Sequence, residues 1–444
     1  MSERVSYCLT DTIYALSSGA GKGGVAVIRI SGSAVKDVLK QMAGISDPKP
    51  RYAYFKSIKA IDGRVLDQAL ILYFAGPHSF TGEDVAEFQV HGGRGVIQSV
   101  LMALGDISGC RPAERGEFSR RAVINGKMDL TTAEGILDLI NAETEQQRAQ
   151  ALTQAQGVLM HLYDGWRQTL CHHMAYLEAF IDFPEEEIPP EKLEAIDGDI
   201  QKLITDIQTH LNDNRAGEKL REGFQIAIVG VPNVGKSSLI NALTQKNVAI
   251  VSQIAGTTRD VVEAHLDVSG FPVILADTAG LREQAEEIES EGIRRAVQKA
   301  EEADLILHIQ DGMHYPNRDE LPSVLSEKTV LTIWNKADAM SVQPTDVLCV
   351  SAKTGLGIPD LWDQIRVVLE RDFGRHSHGV ITRERYRTAL KACVQSLMQS
   401  ICVPELELKA EELRLAARAL GRITGRIEAE ELLDVIFRDF CIGK

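Results

Sequence analysis

The stretch GVPNVGKSS at 230–238 constrains the fold of this chain more than any other feature. It fits the pattern G-x-x-x-x-G-K-[ST], with Gly230, Gly235, Lys236 and Ser237 in the required places. An apolar run precedes it and a helix-like run follows, which is the strand–loop–helix setting of a phosphate-binding loop. Backbone N–H groups then surround phosphate oxygens, and the helix N-terminus adds a favourable dipole. We therefore expect Lys236 to reach the β- and γ-phosphates and Ser237 to ligate Mg²⁺.

Two further motifs occupy the places of nucleotide-sensing switches. GTTRD at 256–260 lies between the loop and the next strand, and its Thr258 would give Mg²⁺ a second hydroxyl ligand. DTAG at 277–280 follows an apolar strand. Asp277 would hold Mg²⁺ through water, and the N–H of Gly280 would sense the γ-phosphate.

Two more motifs select the base. NKAD at 335–338 ends in Asp338, whose carboxylate can accept both guanine N–H donors. Adenine does not offer these donors, so the unpaired carboxylate would penalise ATP. SAK at 351–353 completes the base pocket. All the motifs in this order predict a GTPase.

One position is informative because an expected residue is missing from it. Signalling GTPases place a water-orienting Gln directly after D-x-x-G, whereas this chain has Leu281. Catalysis must then use another residue, and the acids of 283–291 are candidates. Positive charge in the transition state could come from Arg259, Arg282 or a bound monovalent cation. Asn233 is placed to offer such a cation a carbonyl oxygen.

Composition sets limits on the rest of the chain. Its 444 residues predict about two to four domains. No apolar run approaches the ~20 residues of a membrane span, and the N-terminus does not have the pattern of a signal peptide, so we expect a cytoplasmic protein. The seven cysteines lack C-x-x-C spacing, which argues against a disulfide framework or a zinc site. The net charge of −15 restricts any contact with nucleic acid to local patches.

The segment 1–126 has an α+β pattern. Strands are expected at 25–30, 69–74 and 85–91, the last with Glu87 on its polar face. A solvated face of an antiparallel sheet is the simplest interpretation of that alternation. If the strands bring them together, Arg29, Glu87 and Lys127 would instead form a charged constellation.

Helical patterning covers 127–217 and 377–444, with a nucleotide module at 218–376 inserted between them. A single long helix is expected over about 144–181. An inserted module should begin and end close together in space, so Arg221 should lie near Arg375. Basic residues of the last helices could contact RNA phosphates, although a solvated helix face is the default. The terminal CIGK could carry a nucleophilic thiol or simply be a frayed tail.

The chain resembles the bacterial tRNA modification GTPase (MnmE, or TrmE) family over essentially its whole length. The resemblance rests on the G motifs and on these segments: GKGGVAVIRISG at 21–32, SFTGEDVAEFQVHGG at 79–93, GEFSRRAVINGKMDL at 116–130, IDFPEEE at 181–187 and the terminal CIGK. It implies a multidomain α+β and α/β fold. The N-terminal domain would be α+β, folate-binding and dimerising (1–126), the helical domain discontinuous, and the inserted P-loop GTPase domain Ras-like.

The resemblance also implies which residues bind the ligands. A tetrahydrofolate derivative, methylene- or formyl-substituted, would contact Arg29, Glu87, Lys127 and Lys444. Mg²⁺ would be held by Ser237 and Thr258, and K⁺ by Asn233, Ser252, Ile254 and Thr257. The residues expected around GTP are Asn233, Val234, Gly235, Lys236, Ser237, Ser238, Ser252, Gln253, Ile254, Ala255, Gly256, Thr257, Thr258, Asp277, Thr278, Ala279, Gly280, Asn335, Lys336, Asp338, Ser351, Ala352 and Lys353.

For catalysis, the resemblance implies that Glu289 orients water and that Cys441 is needed for modification but not for GTP hydrolysis. A homodimer would act with the FAD-containing partner MnmG, in a heterotetramer-type complex. Together they would add a carboxymethylaminomethyl or aminomethyl group to carbon five of the wobble uridine in certain tRNAs. Two residues depart from the family pattern: Arg115 replaces a usual Pro, and Ser252 replaces a common Thr.

Two other functions compete with this interpretation. One is a ribosome-assembly GTPase that binds RNA without modifying it. The other is a folate-binding protein whose GTPase is only a structural switch. The folate-like constellation and the CIGK tail favour tRNA modification over assembly, since an assembly factor needs neither.

Overall fold

A computed structural model of the chain describes residues 11–19, 21–182, 190–246, 263–276, 298–340, 344–374, 380–426, 433, 436–437 and 440–443. The chain divides into two units. The first contains Met1–Leu137, Met160–Gln168 and Ala417–Lys444, and the second contains Asp138–Leu159 and Thr169–Ala416. The expected division into three domains at 1–126, 127–217 with 377–444, and 218–376 stays a prediction.

The first unit is built on a mixed sheet. Within the described residues its strands are β1 (Thr12–Leu16), β2 (Gly23–Ser31), β3 (Tyr54–Lys59), β4 (Val65–Phe74), β5 (Val85–Gly92) and β6 (Cys110–Pro112). Their order is β3-β4-β5-β2-β1-β6, and the pairs are antiparallel except for β1 with β6. The register sets Arg29 of β2 opposite Glu87 of β5, which places both residues on the same face of the sheet.

Each face of this sheet is covered in a different way. The helices around it are α1 (Val35–Ala43), α2 (Arg94–Gly105), α3 (Glu117–Ile124) and the start of α4 (Leu130–Asn141). On one face, Ile28, Ile30 and Phe88 pack in a core with residues of α1 and α2. On the other, Ile13 and Phe118 belong to a smaller apolar cluster. Glu87, which is next to Phe88 on β5, therefore points to the face of the sheet that carries Phe118 of α3.

The second unit contains a largely parallel sheet. Its strands are β7 (Phe224–Val229), β8 (Glu263–Val268), β9 (Phe271–Ala276), β10 (Leu305–Asp311), β11 (Val330–Asn335) and β12 (Leu348–Cys349). The order is β12-β11-β10-β7-β9-β8, and only the edge pair β8–β9 is antiparallel. β7 lies between β9 and β10, so the chain continues from β7 to one side of the sheet first and to the other side later. Such a reversal of strand order is a topological switch point, where α/β sheets bind ligands.

The helices that follow α4, with bounds in the described part of the chain, are α5 (Glu145–Ala155), α6 (Val158–Asp182), α7 (Pro190–Leu211), α8 (Ala216–Glu222), α9 (Lys236–Lys246), α10 (Ile358–Phe373), α11 (Glu384–Cys402) and α12 (Leu406–Thr424). Residues of α8, α9 and α10 pack on this sheet. The core includes Phe224, Ile226 and Ile228 of β7 with Leu361 and Ile365 of α10. Full burial of such a side chain contributes about 1.5–3 kcal/mol each.

The single long helix expected over 144–181 is wrong, because the structure divides it into α5 and α6. Gly157 lies between them with a φ of +83°. A left-handed residue ends an α-helix, and glycine adopts this conformation without the penalty of a Cβ. Helical periodicity does not reveal such a break, since it persists on both sides.

The two ends of the nucleotide module lie close together. Lys219 of α8 is 3.6 Å from the carboxylate of Asp372 in α10. Arg221 Nε donates a hydrogen bond of 2.9 Å to the carbonyl oxygen of Thr382. Arg375 itself lies outside the described residues. The segments that precede and follow the nucleotide module are therefore in direct contact, as expected of an inserted domain.

Among the residues that the structure describes, no helix combines the length and the apolarity that crossing a membrane requires.

Candidate functional site

The loop between β7 and α9 has the backbone that a phosphate cradle needs. Asn233 and Gly235 have φ angles of +64° and +98°. A Cβ on Gly235 would lie 2.3 Å from Asn335 Nδ2, and one on Gly230 would lie 2.6 Å from the carbonyl oxygen of Ile309. Both distances are shorter than van der Waals contact. The two glycines of the motif are thus required by close approach to neighbouring strands.

Lys236 supplies the positive charge of the loop. Its ammonium group donates hydrogen bonds of 2.7 and 2.9 Å to the carbonyl oxygens of Gly230 and Val231. The charge therefore lies within the curve of the loop, where an anion is bound by N–H groups and the helix dipole. Ser237 and Ser238 follow in the exposed first turn of α9, so both hydroxyls are accessible to a nucleotide and its metal.

Asn335 connects the phosphate loop to the base pocket. Its Nδ2 donates to the carbonyl oxygen of Val234 at 2.8 Å, and its Oδ1 accepts from the N–H of Ala352 at 3.1 Å. The residue is 2 % exposed. A buried hydrogen bond is expensive to break, because the groups left behind lose a partner without gaining water. Asn335 thus fixes two loops at the carboxyl edge of the sheet.

Asp338 is held ready to accept hydrogen bonds. Its Oδ1 accepts from the hydroxyl of Ser351 at 2.5 Å. This hydrogen bond, followed by the charge of Lys353, lowers the pKa of Asp338. The carboxyl is exposed, and an ionised carboxylate is only an acceptor. That arrangement suits the two adjacent N–H donors of guanine.

Lys336 has an unusual backbone that its side chain helps to fix. Its φ is +64°, in the left-handed region. Its ammonium lies 2.7 Å from Asp311 Oδ2 at the end of β10. Burial alone would raise the pKa of Asp311, but the hydrogen bonds from Lys336 and from the N–H of Met313, together with the charge of Lys336, lower this pKa. The pair connects the base-binding motif to a third strand of the sheet.

The structure thus brings together one part of the predicted GTP site. Residues 233–238, 335–338 and 351–353 meet at the carboxyl ends of β7, β11 and β12. The remaining predicted residues lie outside the described part of the chain: Ser252, Gln253, Ile254, Ala255, Gly256, Thr257, Thr258, Asp277, Thr278, Ala279, Gly280 and Glu289.

A second constellation lies in the first unit. Arg29 Nη2 is 2.9 Å from Glu87 Oε1, and each side chain is 17 % exposed. The guanidinium lies 5.1 Å from the centre of the Phe80 ring and 5.8 Å from that of Phe118, within reach of a cation–π interaction. The alternative of a simple solvated face is therefore wrong for this pair.

Lys127 lies beside Gly82, two residues after Phe80 in the chain. Its side-chain carbons come within 3.2 Å of where a Cβ on Gly82 would stand. The side chain is exposed, so its ammonium can bind an anionic group that enters from solvent. That Lys127 acts together with Arg29 and Glu87 stays a prediction.

Sequence reasoning missed a buried ionic network in the same unit. Arg121 is 1 % exposed, and it contacts Glu83 at 3.1 Å and Glu117 at 3.0 Å. Arg111 binds the same Glu117 with two hydrogen bonds. Burial would raise the pKa of Glu117, but the hydrogen bonds from Arg111 and the charge of Arg121 lower it. The run GEFSRR at 116–121 carries two of these charges, but charged residues are mostly exposed unless they are paired, so the sequence alone does not reveal the burial.

The end of the chain is docked and not frayed. The hydroxyl of Ser17 donates to the carbonyl oxygen of Gly443 at 2.8 Å. A Cβ on Gly443 would lie 2.1 Å from the carbonyl oxygen of Leu16. Phe440 is 1 % exposed in an apolar cluster with the start of α4. Cys441 is exposed, so the tail presents a thiol from a fixed backbone. Lys444 lies outside the described residues.

The unusual Arg115 takes part in this docking. It forms an isolated antiparallel bridge with Ile442, and the N–H of the next residue, Gly116, donates to the carbonyl oxygen of Cys441 at 3.4 Å. The departure from the family's Pro is compatible with the turn, because the hydrogen bond comes from its neighbour.

Three basic residues of the last helices form ion pairs within the chain. Arg387 is buried, 2.7 Å from Asp213 and 3.5 Å from Glu218. Arg383 lies 2.8 Å from Asp138, and Arg414 lies 2.8 Å from Glu178. These pairs offset three of the charges that were candidates for RNA phosphates, and an RNA-binding face here stays a prediction.

Comparison with known proteins supplies the family. The family model "MnmE helical domain" matches residues 130–441, and "GTP-binding protein TrmE N-terminus" matches residues 12–127. A tRNA modification GTPase MnmE from Paramagnetospirillum magneticum is 50% identical over 98% of this chain and 100% of its own. A protein of the same name from Parvibaculum lavamentivorans is 49% identical with the same coverage. The mitochondrial 5-taurinomethyluridine-[tRNA] synthase subunit GTPB3 of Danio rerio is 45% identical, over 98% of this chain and 93% of its own.

The close approach at Gly235 makes a direct prediction. Gly235→Ala should weaken GDP binding at least tenfold, about 1.4 kcal/mol, because the added Cβ would displace Asn335 Nδ2. Titration with a fluorescent GDP analogue measures this. Gly63→Ala is the matched control, since Gly63 also has a positive φ, +85°, but has nothing within 4 Å of the new Cβ. Equal affinities for the two variants would contradict the close-approach argument.

Proposed function

The chain belongs to the MnmE family of tRNA modification GTPases, and from this premise we infer that it couples K⁺-dependent GTP hydrolysis to modification of a wobble uridine. It is a GTPase, and its family implies GTP and Mg²⁺ as ligands. The proposal adds K⁺, a methylene- or formyl-tetrahydrofolate and an FAD-containing partner, MnmG. The product would carry an aminomethyl or carboxymethylaminomethyl group on carbon five. We place this activity in the cytoplasm, with a homodimer formed through residues 1–126.

One observation carries this choice over an RNA-binding assembly GTPase. The CIGK tail docks on β1 at Leu16 and Ser17. Ala15, one residue before, is the Cα partner of Arg29 in the register of β1 and β2. The exposed Cys441 thus belongs to the same part of the sheet as the Arg29–Glu87 pair. An assembly GTPase needs neither an exposed thiol on a docked tail nor this charged pair.

The residues present fit the ligands that the family implies. A one-carbon carrier supplies the carbon unit when bound, and Arg29, Glu87, Lys127 and Lys444 would orient it. Arg29 and Glu87 satisfy each other at 2.9 Å and lie against an aromatic ring, a setting suited to a flat, polar heterocycle. Cys441 is held by backbone bonds on both sides, so its thiol can be presented without disturbing the nucleotide module.

GTP binding and hydrolysis would use the other site. Lys236 and the loop amides would bind phosphate, Ser237 and Thr258 would hold Mg²⁺, and Asp338 would accept from guanine. K⁺ would supply positive charge in the transition state, held by Asn233, Ser252, Ile254 and Thr257. Asn233 is exposed on the phosphate loop with a left-handed backbone, so its side chain is free to turn toward such an ion. Glu289 would orient the attacking water in place of the missing Gln.

The division of labour between the two sites is testable. Cys441→Ser should leave GTP turnover within about twofold of wild type, because the tail contacts Ser17 and Gly116 of the first unit. The modified nucleoside should disappear, as measured by mass spectrometry of tRNA from cells carrying only the variant. Cys402→Ser, also at an exposed thiol, is the control and should modify normally. Loss of both activities in Cys441→Ser would refute the division.

The role of K⁺ has its own test. Replacing Na⁺ by K⁺ should raise GTP turnover by about 10²-fold, the typical effect of one transition-state stabiliser. Asn233→Ala should abolish that stimulation while GDP affinity stays within a few fold. Asn241→Ala, at an exposed position on α9, is the matched control and should keep it. Turnover that is equal in the two salts for wild type would remove K⁺ from the proposal.

A further inference from the structure

The edge hairpin of the nucleotide module has two functional ends. β8 and β9 pair from Glu263 with Ala276 at one end to Val268 with Phe271 at the other. A strand of this length extends about 20 Å. At the open end, Asp277 of the DTAG motif follows Ala276 directly, and GTTRD ends three residues before Glu263. The closed end is the turn at Ser269–Gly270, whose residues have φ angles of +54° and +89°.

The closed end of the hairpin contacts helix α5. The N–H of Gln146 donates to the carbonyl oxygen of Gly270 at 3.1 Å. A Cβ on Gly270 would lie 3.6 Å from Gln146 Cγ and 3.7 Å from Glu145 Cβ. Thr144 and Gln147 form a capping box at this helix start, which satisfies the N–H of Gln147. The hairpin thus provides the acceptor for the preceding amide, one of four that a helix N-terminus leaves open.

Helix α5 also holds both ends of the nucleotide module. Gln147 Nε2 donates to the carbonyl oxygen of Arg221 at 3.2 Å, and Gln150 Nε2 donates to that of Gly217 at 3.1 Å. Both acceptors belong to α8, which leads into the module. Gln154 Oε1 accepts from Thr382 Oγ1 at 3.0 Å, just after the module ends. Spacings of three and four residues place these three glutamines on one face of α5.

The region between α5, α8 and the β8–β9 hairpin is not close-packed. A cavity of about 390 Å³ lies between α5, α8 and the hairpin, lined among others by Leu159, Leu220, Phe271 and Phe373. The rings of Phe271 and Phe373 stack with centroids 5.2 Å apart. Gln150 Oε1, whose side chain lines the cavity, is buried without a hydrogen-bond partner among the described residues. Polar contacts around a void can rearrange more readily than an interdigitated core.

We propose that the β8–β9 hairpin is the link through which the nucleotide state acts on the helical part of the protein, with α5 as the receiving element. In one nucleotide state the turn at Gly270 would stay bound to Gln146. In the other it would separate from Gln146 and let α5 shift against α8 and Thr382. From α5 the chain runs back through residues 142–144 into α4, whose first residues pack with Phe437 and Phe440. The inference rests on the proposed function, since it assigns the path of a GTP-driven cycle that modification requires.

Cross-linking the turn to α5 tests the proposal. In a Glu145→Cys, Gly270→Cys double variant the Cβ atoms would be about 3.7 Å apart, within the 3.5–4.5 Å of natural disulfides. The oxidised form should turn over GTP within about twofold of its reduced form but modify tRNA at less than a tenth of its rate. Reduction should restore modification. Each single variant, treated with the same oxidant, controls for the native cysteines. Equal modification by the oxidised and reduced forms would overturn the link.

A second measurement uses the wild-type protein, so it tests the proposal even if the double variant does not fold. Amide hydrogen exchange at 145–147 should change at least threefold between the GDP-bound protein and the protein bound to GDP and aluminium fluoride. Unchanged exchange there would also overturn the link. If wild type hydrolyses GTP but does not modify tRNA, the proposed function fails instead, and the exchange measurement still decides whether the hairpin acts on α5.

Discussion

The buried amide of Asn335 is the interaction on which the nucleotide site depends. One atom of its side chain holds the phosphate loop through Val234 and another holds the base loop through Ala352. Both loops follow strands of a parallel sheet, whose carboxyl ends meet at one edge. Without this connection the phosphate and base contacts would be positioned independently. Gly235 is required for the same reason, because a side chain there would occupy the space of the amide.

In the first unit, a network of buried charged side chains connects separate segments of the chain, as Asn335 does in the nucleotide site. Arg121 and Glu117 are almost completely removed from water, and Arg111 and Glu83 supply them with further hydrogen-bond partners. Breaking such a network leaves an uncompensated buried charge, at a cost of about 3–5 kcal/mol. The network lies beside the Arg29–Glu87 pair on β2 and β5 and the docked tail on β1. It therefore supports the surface that we assign to the one-carbon carrier and Cys441.

Local motifs were predictable because their chemistry is local. The strand–loop–helix setting of 230–238 and the alternation on β5 depend on neighbouring residues, and the structure confirms both in its described part. It also brings Asp338 and Ser351 of the two base motifs into contact, while their binding of guanine stays a prediction. Features that depend on contacts distant in sequence were not predictable. The docking of Gly443 on Leu16 joins the two ends of the chain. The contacts of α5 with both ends of the nucleotide module were not predicted. Its glutamines have the pattern of a solvated helix face, and only the structure shows that they bind Arg221, Gly217 and Thr382.

The central claim is that hydrolysis at one site serves chemistry at another. Purified chain, its FAD-containing partner, tRNA and a one-carbon donor should be incubated with either GTP or a non-hydrolysable GTP analogue. Mass spectrometry of the wobble uridine then reports the outcome. The account predicts modified uridine with GTP and none with the analogue. Equal amounts of product with both nucleotides would contradict the account. Nucleotide binding alone would then be enough for modification, and GTP hydrolysis would not be coupled to it.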